Sequence, residues 1–266
     1  MKKQETQFKK YIQWFWRLFI GGFAFVFLLF IIAALGGFGP LPSFQDLENP
    51  QSNLATEVIS ADGVTIGKYA KENRTPIKFK DLPENLVHAL IATEDERFYE
   101  HSGIDFKGTA RAVVKLGSGG GASTITQQLA KNLFTKNASS NKVKRVLQKL
   151  KEWVVAIKLE RQYTKEEIIA MYLNTQDFIF NAVGIRSASR IYFGKEAKEL
   201  DVQEAAILVA MLKNPRQYNP NRKISKVKSL ERRNVVFSQM EKNGYLTEEQ
   251  KDSLQKLPLK INFTPE

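Results

Sequence analysis

A long apolar segment stands near the start of the chain. From Leu18 onward no charged residue occurs until Asp46, and the interval opens with LFIGGFAFVFLLFIIAALGGFG. A helix of about 20 apolar residues spans the hydrocarbon core of a bilayer, whereas the apolar part of a cleaved signal peptide has only about 7 to 15 residues. The pattern therefore predicts an uncleaved transmembrane anchor over residues 18–39.

The flanks of this segment predict its orientation. Five basic residues lie on its N-terminal side: Lys2, Lys3, Lys9, Lys10 and Arg17. Trp14 and Trp16 stand where an interfacial aromatic belt would lie, and positive charge favours the cytoplasmic side. We expect residues 1–17 to form a cytoplasmic basic tail and the chain beyond the anchor to lie outside the cytoplasm.

The apolar pattern changes twice after the anchor. Alternating apolar positions surround Asp62-Gly63, which is typical of a type I′ β-hairpin. From residue 81 the apolar positions recur with helical spacing. The sequence thus predicts a linker and β-hairpin lead-in over residues 40–80, a helical domain over residues 81–250 and a C-terminal tail over residues 251–266.

Apolar stripes identify individual helices in this domain. One stripe, Leu86, Leu90 and Ile91, leads into Glu94. Residues 141–174 carry apolar residues at core spacing and predict one long amphipathic helix: Val143, Val146, Leu147, Leu150, Val154 and Ile157. Two further helices, over residues 202–212 and 229–243, are expected to act as scaffold and to take no part in the reaction.

Composition and charge narrow the classes of function. The 266 residues leave room for the anchor and one domain of roughly 180 to 220 residues. With 40 Lys and Arg against 28 Asp and Glu, the net charge of +12 favours anionic partners, and a location outside the cytoplasm argues against nucleic acid. The chain has no cysteine, which excludes disulfides, zinc–thiolate sites and thiol nucleophiles.

Glu94 is the first candidate for chemistry. Leu90 precedes it by one turn, so its carboxylate should lie over an apolar face at a helix C-terminus, where the macrodipole is negative. Both effects disfavour the charged carboxylate, and a carboxyl group brought toward neutrality can act as a general acid or base. Asp95 and Glu96 are expected to point to other faces. The alternative is an ordinary solvated helix end.

A capped helix after a glycine-rich stretch is the second candidate. Ser123 and Thr124 follow Gly117, Gly119, Gly120 and Gly121 and should cap a helix with Gln127, Gln128 and Lys131 in its first two turns. The free N–H groups of such a helix can hold a sugar or a phosphate. No Gly-Lys-Ser/Thr follows, so this is not a nucleotide P-loop. The alternative is an ordinary loop before a capped helix.

A basic cluster lies further along the chain, at Lys142, Lys144, Arg145 and Lys149. Lys149 shares a helix face with Glu152 at i,i+3. The residues leave two interpretations open: a solvated face with a surface ion pair, or a binding site for a pyrophosphate close to the membrane.

Five ordered motifs in this chain resemble those of the peptidoglycan glycosyltransferases of glycosyltransferase family 51, found as monofunctional transglycosylases and at the N-terminus of class A penicillin-binding proteins. The first two motifs fall on Glu94, Asp95, Phe98, His101 and Gly103, and on Gly121, Ser123, Thr124, Gln127, Gln128, Lys131 and Asn132. The third occupies residues 148–152. The last two fall on Lys165, Ile168, Tyr172 and Asn174, and on Arg190, Tyr192, Phe193, Gly194 and Lys195. The resemblance covers about residues 55–245.

The resemblance implies a mainly α, lysozyme-like, two-lobed glycosyltransferase domain after one N-terminal transmembrane helix, with a short β-hairpin lead-in. The implied location is the cytoplasmic membrane of a bacterium, with the smaller lobe dipping into its outer face. The implied reaction polymerises lipid II into β-1,4-linked glycan with inversion and release of polyprenyl pyrophosphate. Expected partners are lipid II, the growing glycan chain, membrane lipids and other cell-wall synthesis proteins, but not nucleic acid.

The resemblance also implies residue roles. Glu94 would be the general base, and Glu152 would place the donor pyrophosphate directly or through a divalent ion such as Mg²⁺, while Lys131, Lys144 and Lys149 offset leaving-group charge. Substrate-binding residues are expected at Asp95, Phe98, His101, Ser123, Thr124, Gln127, Gln128, Lys131, Asn132, Lys144, Lys149, Asn174 and Arg190. His101 is expected to be structural rather than catalytic. No organic cofactor is expected.

Two departures from the family pattern stand out. Gln148 replaces the arginine that opens the third motif, which removes a fixed charge and a bidentate phosphate contact, although Arg145 lies one turn back and could substitute for it. Family members commonly carry a glycine near Ile179 and a tyrosine near Val183. A β-branched residue at a permissive backbone position predicts a reshaped loop.

Two other functions stay open from the sequence. A lytic transglycosylase or muramidase would also use a glutamate in such a cleft, but it needs no pyrophosphate site. A catalytically silent scaffold of the wall-synthesis machinery is the other, although the retained Glu94 and Glu152 argue against it. No S-D-N or K-T-G element of a penicillin-reactive domain occurs. The chain is either a complete monofunctional enzyme or the N-terminal portion of a longer protein.

Overall fold

The fold is mainly α-helical, as predicted. The computed structural model describes residues 2–42, 56–59, 62, 65–69, 76–114, 123–135 and 139–264. The long elements are α1 (Lys2–Ala34), β1 (Thr56–Ile59), β2 (Thr65–Tyr69), α2 (Glu84–Glu94), α3 (Phe106–Val114), α4 (Ile125–Ala130), α5 (Lys142–Gln162), α6 (Lys165–Thr175), α7 (Ile185–Phe193), α8 (Val202–Leu212), α9 (Lys226–Lys242) and α10 (Glu248–Lys256). Short 3₁₀ turns lie at Phe79–Asp81, Phe98–Glu100, Ala197–Glu199 and Lys223–Ser225, and a π-helical turn, Lys131–Thr135, follows α4.

The first helix carries the apolar segment. Its part Phe8–Ala34 is long and apolar enough to cross a membrane, and nearly all of it is exposed. The helix begins at Lys2, inside the basic N-terminal stretch. Near its C-terminal end the ring of Phe30 lies 5.7 Å from that of Trp153 on α5. The apolar helix thus contacts the folded domain at one end.

The predicted β-hairpin is present between α1 and the helical domain. Strands β1 and β2 pair antiparallel, with Glu57 opposite Lys68 and an irregularity between Val58 and Ile59. Residues 60, 61, 63 and 64 of the connection lie outside the described part of the chain, and so does the predicted type of the turn.

The core is built around α8. Every residue from Ala205 to Met211 is fully buried, because α2, α7 and α9 pack against this helix. A helix that is apolar all round is typical of such a central position. Asp201 begins it with a capping box, in which its carboxylate accepts the Glu204 N–H at 2.8 Å. The predicted core helix over residues 202–212 is confirmed.

The prediction of one long helix over residues 141–174 is wrong. Tyr163 is extended, and Thr164 caps a new helix, α6, through reciprocal hydrogen bonds with Glu167. The apolar stripe also fails at its start, since the side chains of Val143 and Val146 are 68% and 59% exposed. A capping box ends one helix and begins another even where the apolar period continues across it.

The C-terminal segment packs on the domain. The backbone N–H of Asn262 donates to the carbonyl of Tyr192 at 2.9 Å, and that of Thr264 donates to Ile191 at 2.8 Å. The ring of Phe263 packs edge-on against the rings of Tyr192 and Phe180. Residues beyond α10 are thereby held against α7.

Candidate active site

A cleft of about 430 Å³ lies where the end of α2 meets the start of α4 and one face of α9. Its lining is mostly polar and charged: Ala92, Thr93, Glu94, Asp95, Glu96, Asp105, Gly108, Arg111, Ser123, Thr124, Gln128, Lys213, Arg232, Val235, Gln239 and Lys242. Residues from distant parts of the sequence therefore meet around the end of α2.

Glu94 is the last residue of α2 and lies in this cleft. Its side chain is 15% exposed, and Leu90, one turn earlier, is fully buried. Gln128 Nε2 donates to Glu94 Oε2 at 3.0 Å, and Arg232 Nη2 lies 4.0 Å from the other carboxylate oxygen. The sequence placed this carboxylate correctly at a helix end above an apolar face.

Asp95 is buried behind Glu94 and ties together three parts of the chain. Its carboxylate accepts a 3.0 Å hydrogen bond from the backbone N–H of Ile125, at the start of α4. His101 Nε2 lies 3.1 Å from both oxygens of the same carboxylate. Asp95 thus fixes the start of α4 and the His101 loop against the end of α2.

The start of α4 is capped as predicted. Thr124 Oγ1 accepts the Gln127 N–H at 3.1 Å, and the Gln127 side chain accepts the Thr124 N–H in return. The Thr124 hydroxyl also donates to the carbonyl of Gly103 at 2.7 Å. Gly103 has φ of 91° and passes so close to α5 that a Cβ would lie 2.9 Å from the carbonyl of Ala156. Only glycine fits at this position.

Glu152 is the second acidic candidate and is 6% exposed on α5. Lys149 Nζ donates to it at 2.9 Å, which confirms the predicted i,i+3 pair. The same ammonium donates to Ser123 Oγ at 3.1 Å. Because Ser123 lines the cleft, Lys149 connects the buried Glu152 to the cleft rim.

Asp95 and Glu96 also line this cleft, but their carboxylates contact groups other than the partners of Glu94. Glu96 accepts a 2.8 Å hydrogen bond from Lys242 and a 3.2 Å hydrogen bond from Arg111. The bond from Lys242, together with the contribution of Arg111, lowers the pKa of Glu96 despite its partial burial. This ion-pair group joins α9 to α3 beside the cleft.

The expectation that α9 is only scaffold is wrong. Four of its residues recur at helical spacing and line the cleft: Arg232, Val235, Gln239 and Lys242. Arg111 and Lys213 line it as well, from α3 and from the end of α8. Arg232, Gln239 and Lys242 stand at i, i+7 and i+10 and share one face of the helix, which could have been predicted from the sequence. The apolar positions on the other face led instead to the interpretation of the helix as scaffold.

A family model described as transglycosylase matches residues 62–241 of the chain, which is more than half of it. The chain belongs to the transglycosylase family. Penicillin-binding protein 1A of Pseudomonas aeruginosa is 36% identical over 85% of this chain and 28% of its own length. Penicillin-binding protein 1A of Escherichia coli is 38% identical over 84% and 26%, and penicillin-binding protein 1F of Bacillus subtilis is 40% identical over 73% and 27%.

This transglycosylase-family chain thus spans about a quarter of the length of these relatives. Among solved structures, it matches the crystal structure of penicillin-binding protein 1A from Haemophilus influenzae. That match has a TM-score of 0.45 and 24% identity over 80% of this chain and 22% of the other.

Several residues expected to bind substrate lie outside this cleft. The Asn174 amide donates to the carbonyl of Ile77 at 2.9 Å and accepts a hydrogen bond from the Ile77 N–H at 3.0 Å. Arg190 pairs with Glu196, whose pKa this contact lowers. Phe98 is fully buried. The others that do not line the cleft are His101, Gln127, Lys131, Asn132, Lys144 and Lys149, of which Lys149 contacts the lining residue Ser123.

The two departures from the family pattern have distinct structural settings. Gln148 Oε1 accepts a hydrogen bond from the backbone N–H of Ser139 at 2.9 Å, so its side chain holds the segment just before α5 against that helix. Ile179, Phe180 and Asn181 follow one another with φ of 59°, 54° and 61°. A β-branched residue is held here in a left-handed conformation, close to where relatives were expected to have glycine. Gly117, Gly119, Gly120 and Gly121 lie outside the described residues.

Within the described part of the chain, no group of three or more His, Cys, Asp and Glu residues could hold a metal ion. Glu152 offers one carboxylate, which already pairs with Lys149. Mg²⁺ commonly keeps several waters and uses only one or two protein carboxylates together with substrate phosphates. The donor set at Glu152 would therefore accept such an ion only in company with a bound pyrophosphate.

Proposed function

We propose that the chain is a peptidoglycan glycosyltransferase that polymerises lipid II into β-1,4-linked glycan. The observation that carries the proposal is the position of Glu94 in a polar cleft, beside Gln128 and Arg232, in a chain of the transglycosylase family. The apolar helix α1 would anchor the enzyme, with the N-terminus in the cytoplasm and the domain outside it, where membrane lipids and other wall-synthesis proteins are its neighbours.

In the proposed reaction, Glu94 accepts the proton of the 4-hydroxyl of the acceptor GlcNAc. The hydroxyl oxygen forms a bond to the anomeric carbon of the donor MurNAc from the face opposite the pyrophosphate. The bond between that carbon and the pyrophosphate oxygen breaks, and the polyprenyl pyrophosphate leaves with the electron pair. Attack from the opposite face inverts the α-linked donor to a β-1,4 bond.

Positive groups near the cleft suit an anionic leaving group. Lys149 lies at the rim through Ser123, and Lys213 and Arg232 line the cleft itself. Fixed charges aimed at developing negative charge stabilise a transition state more than they stabilise the substrate. A divalent ion bound with the pyrophosphate near Glu152 would add further positive charge, and Lys149 supplies such charge there in any case.

The test is polymerisation of lipid II by the full chain, purified in detergent, with the products separated on a gel. We expect glycan ladders from the wild type and a loss of at least about 100-fold in Glu94→Gln, because the amide cannot accept the proton. Glu231→Gln is the matched control, since Glu231 is an exposed carboxylate in the same helix as Arg232. Ladders from Glu94→Gln at the wild-type rate would refute the role of Glu94. Shortening of preformed glycan without polymerisation would instead identify a lytic enzyme.

A further inference from the structure

A chain of three side chains leads from the protein core to the cleft. Tyr172 on α6 is fully buried, and its hydroxyl donates to Gln128 Oε1 at 3.0 Å. Gln128 Nε2 then donates to Glu94 Oε2, also at 3.0 Å. The proposed reaction uses Glu94 directly, but it gives Tyr172 no role.

The orientation of the Gln128 amide decides what Glu94 meets. An amide has a donor end and an acceptor end, and a half-turn of the group exchanges them. An ionised carboxylate only accepts hydrogen bonds, so the donor end stabilises it and the acceptor end repels it. A neighbour that favours the same orientation of the amide would therefore support Glu94 as a base.

Tyr172 is suited to this task because its hydroxyl keeps its proton. Burial, and then the nearby charge of Glu94, raise the pKa of Tyr172 well above its usual value. The hydroxyl therefore keeps its proton at neutral pH, and with the oxygen end of the amide toward it that buried proton has an acceptor at 3.0 Å. With the nitrogen end toward it, the hydroxyl would accept a hydrogen bond and its own proton would lose this acceptor. The ring itself belongs to the hydrophobic core, where a phenylalanine ring would pack in the same way.

We propose that Tyr172 is a positioning residue for glycosyl transfer, which holds the Gln128 amide with its N–H group toward Glu94 and so keeps that carboxylate ready to accept a proton. This inference rests on the proposed role of Glu94. Gln128, which the resemblance assigned to substrate binding, becomes the link between the core and the base.

A second buried tyrosine provides a matched control. Tyr192 is also fully buried, and its hydroxyl donates to the carbonyl of Phe178 at 2.7 Å and accepts from Asn219 at 2.7 Å. These partners do not line the cleft. Loss of either hydroxyl removes a buried hydrogen bond, but only Tyr172 is connected to Glu94.

The experiment compares Tyr172→Phe and Tyr192→Phe in lipid II polymerisation by the full chain across pH. In Tyr172→Phe we expect kcat to fall about tenfold with KM within about twofold, because a hydrogen bond that supports a charged group is lost. The acidic limb of the pH–rate profile should move to higher pH, since Glu94 would then hold its proton more tightly. Tyr192→Phe should keep both the wild-type kcat and the wild-type profile, even where it unfolds at lower temperature.

The double variant tests whether Tyr172 acts through Gln128. Gln128→Met removes the amide, so adding Tyr172→Phe to it should cause no further fall in kcat. Gln128→Met alone should show the same displacement of the acidic limb, which keeps the inference testable if Tyr172→Phe does not fold. An unchanged profile in Gln128→Met, or equal losses of kcat in the two tyrosine variants, would overturn it.

The outcome is separate from that of the proposed function. If Glu94→Gln polymerises normally, the role of Glu94 fails and the positioning role fails with it. If Glu94→Gln is inactive while Tyr172→Phe has the kcat and pH profile of the wild type, only the positioning role fails.

Discussion

The carboxylate of Asp95 accepts a 3.0 Å hydrogen bond from the backbone N–H of Ile125, thirty residues further along the chain. A negative charge at a helix N-terminus is stabilised by the free N–H groups and the macrodipole there. The bond fixes the end of α2 against the start of α4, and with it the distance between Glu94 and Gln128. The position of Glu94 relative to the start of α4 therefore depends on Asp95, whose carboxylate contacts groups of the protein itself.

Replacing Asp95 by asparagine should damage both stability and activity. The amide side chain would keep an oxygen for Ile125 but lose the charge that favours the helix N-terminus and His101. We expect a loss of about 1–2 kcal/mol in the free energy of unfolding, measured by thermal unfolding in detergent, and at least a tenfold loss of polymerisation. Asp252→Asn, which alters an exposed carboxylate on α10, should change neither. Wild-type stability in Asp95→Asn would contradict this account.

Two adjacent arginines should separate stability from activity. Arg233 is fully buried and donates to the carbonyl of Leu257 at 2.8 Å and to those of Leu254 and Gln255 at 3.4 Å. It thereby satisfies the C-terminal end of α10, and burial lowers its pKa. Arg232, its neighbour, faces Glu94 instead.

Arg233→Met should lower the free energy of unfolding by about 3 kcal/mol, because the last carbonyls of α10 lose a charged donor that is fixed in the core. Arg232→Met should cost less than about 1 kcal/mol, since it leaves those carbonyls satisfied, and should mainly reduce polymerisation. Thermal unfolding and the lipid II assay on the same preparations measure both effects. Equal stability losses in the two variants would show that the carbonyl contacts contribute little.

Glu96 should make stability depend on acid pH. Lys242 and Arg111 lower its pKa from the usual 4.5, so folding gains stability from its ionised form. This contribution is complete above about pH 5 and is lost as the pH falls through the lowered pKa of the folded state. We expect Glu96→Gln to be less stable than the wild type by up to about 1 kcal/mol at pH 7, with solvent screening included.

The difference between Glu96→Gln and the wild type should shrink toward zero as the pH is lowered from about 5 to about 3. Unfolding curves at a series of pH values measure it. High salt at pH 7 should also reduce the difference, because it screens partly exposed ion pairs. A difference that stays constant over this pH range would mean that the Glu96 contacts act through packing rather than charge.

Local signals made the end of α2 and the start of α4 predictable from the sequence. Glu94 follows an apolar stripe, and Thr124 and Gln127 form a capping box within four residues. The break at Tyr163 and Thr164 escaped prediction because the apolar period runs through it, while the capping box that causes it is only four residues long. Local signals of this kind predict where a helix begins or ends, but not which other helices pack against it.

The partners of distant residues could not be inferred in the same way. Asn174 lies in a family motif, yet it binds the backbone of Ile77, 97 residues away. The face of α9 that lines the cleft was predicted as scaffold, because nothing in its own sequence says that it packs across the end of α2. Long-range partners depend on tertiary packing, which residue spacing along one segment does not encode.

The left-handed loop after Phe178 gives the last prediction. Ile179 has φ of 59°, a conformation that is costly for a β-branched residue, whereas Asn181, with φ of 61°, belongs to a residue type that tolerates it. Ile179→Gly should therefore raise the free energy of unfolding by about 1 kcal/mol. This figure already subtracts the greater freedom of glycine in the unfolded chain and the loss of the half-buried isoleucine side chain. Asn181→Gly should change it by less than about 0.5 kcal/mol. Thermal unfolding of both variants in the same detergent decides the matter. A lower stability in Ile179→Gly than in Asn181→Gly would show that the packing of the isoleucine outweighs the strain of its backbone.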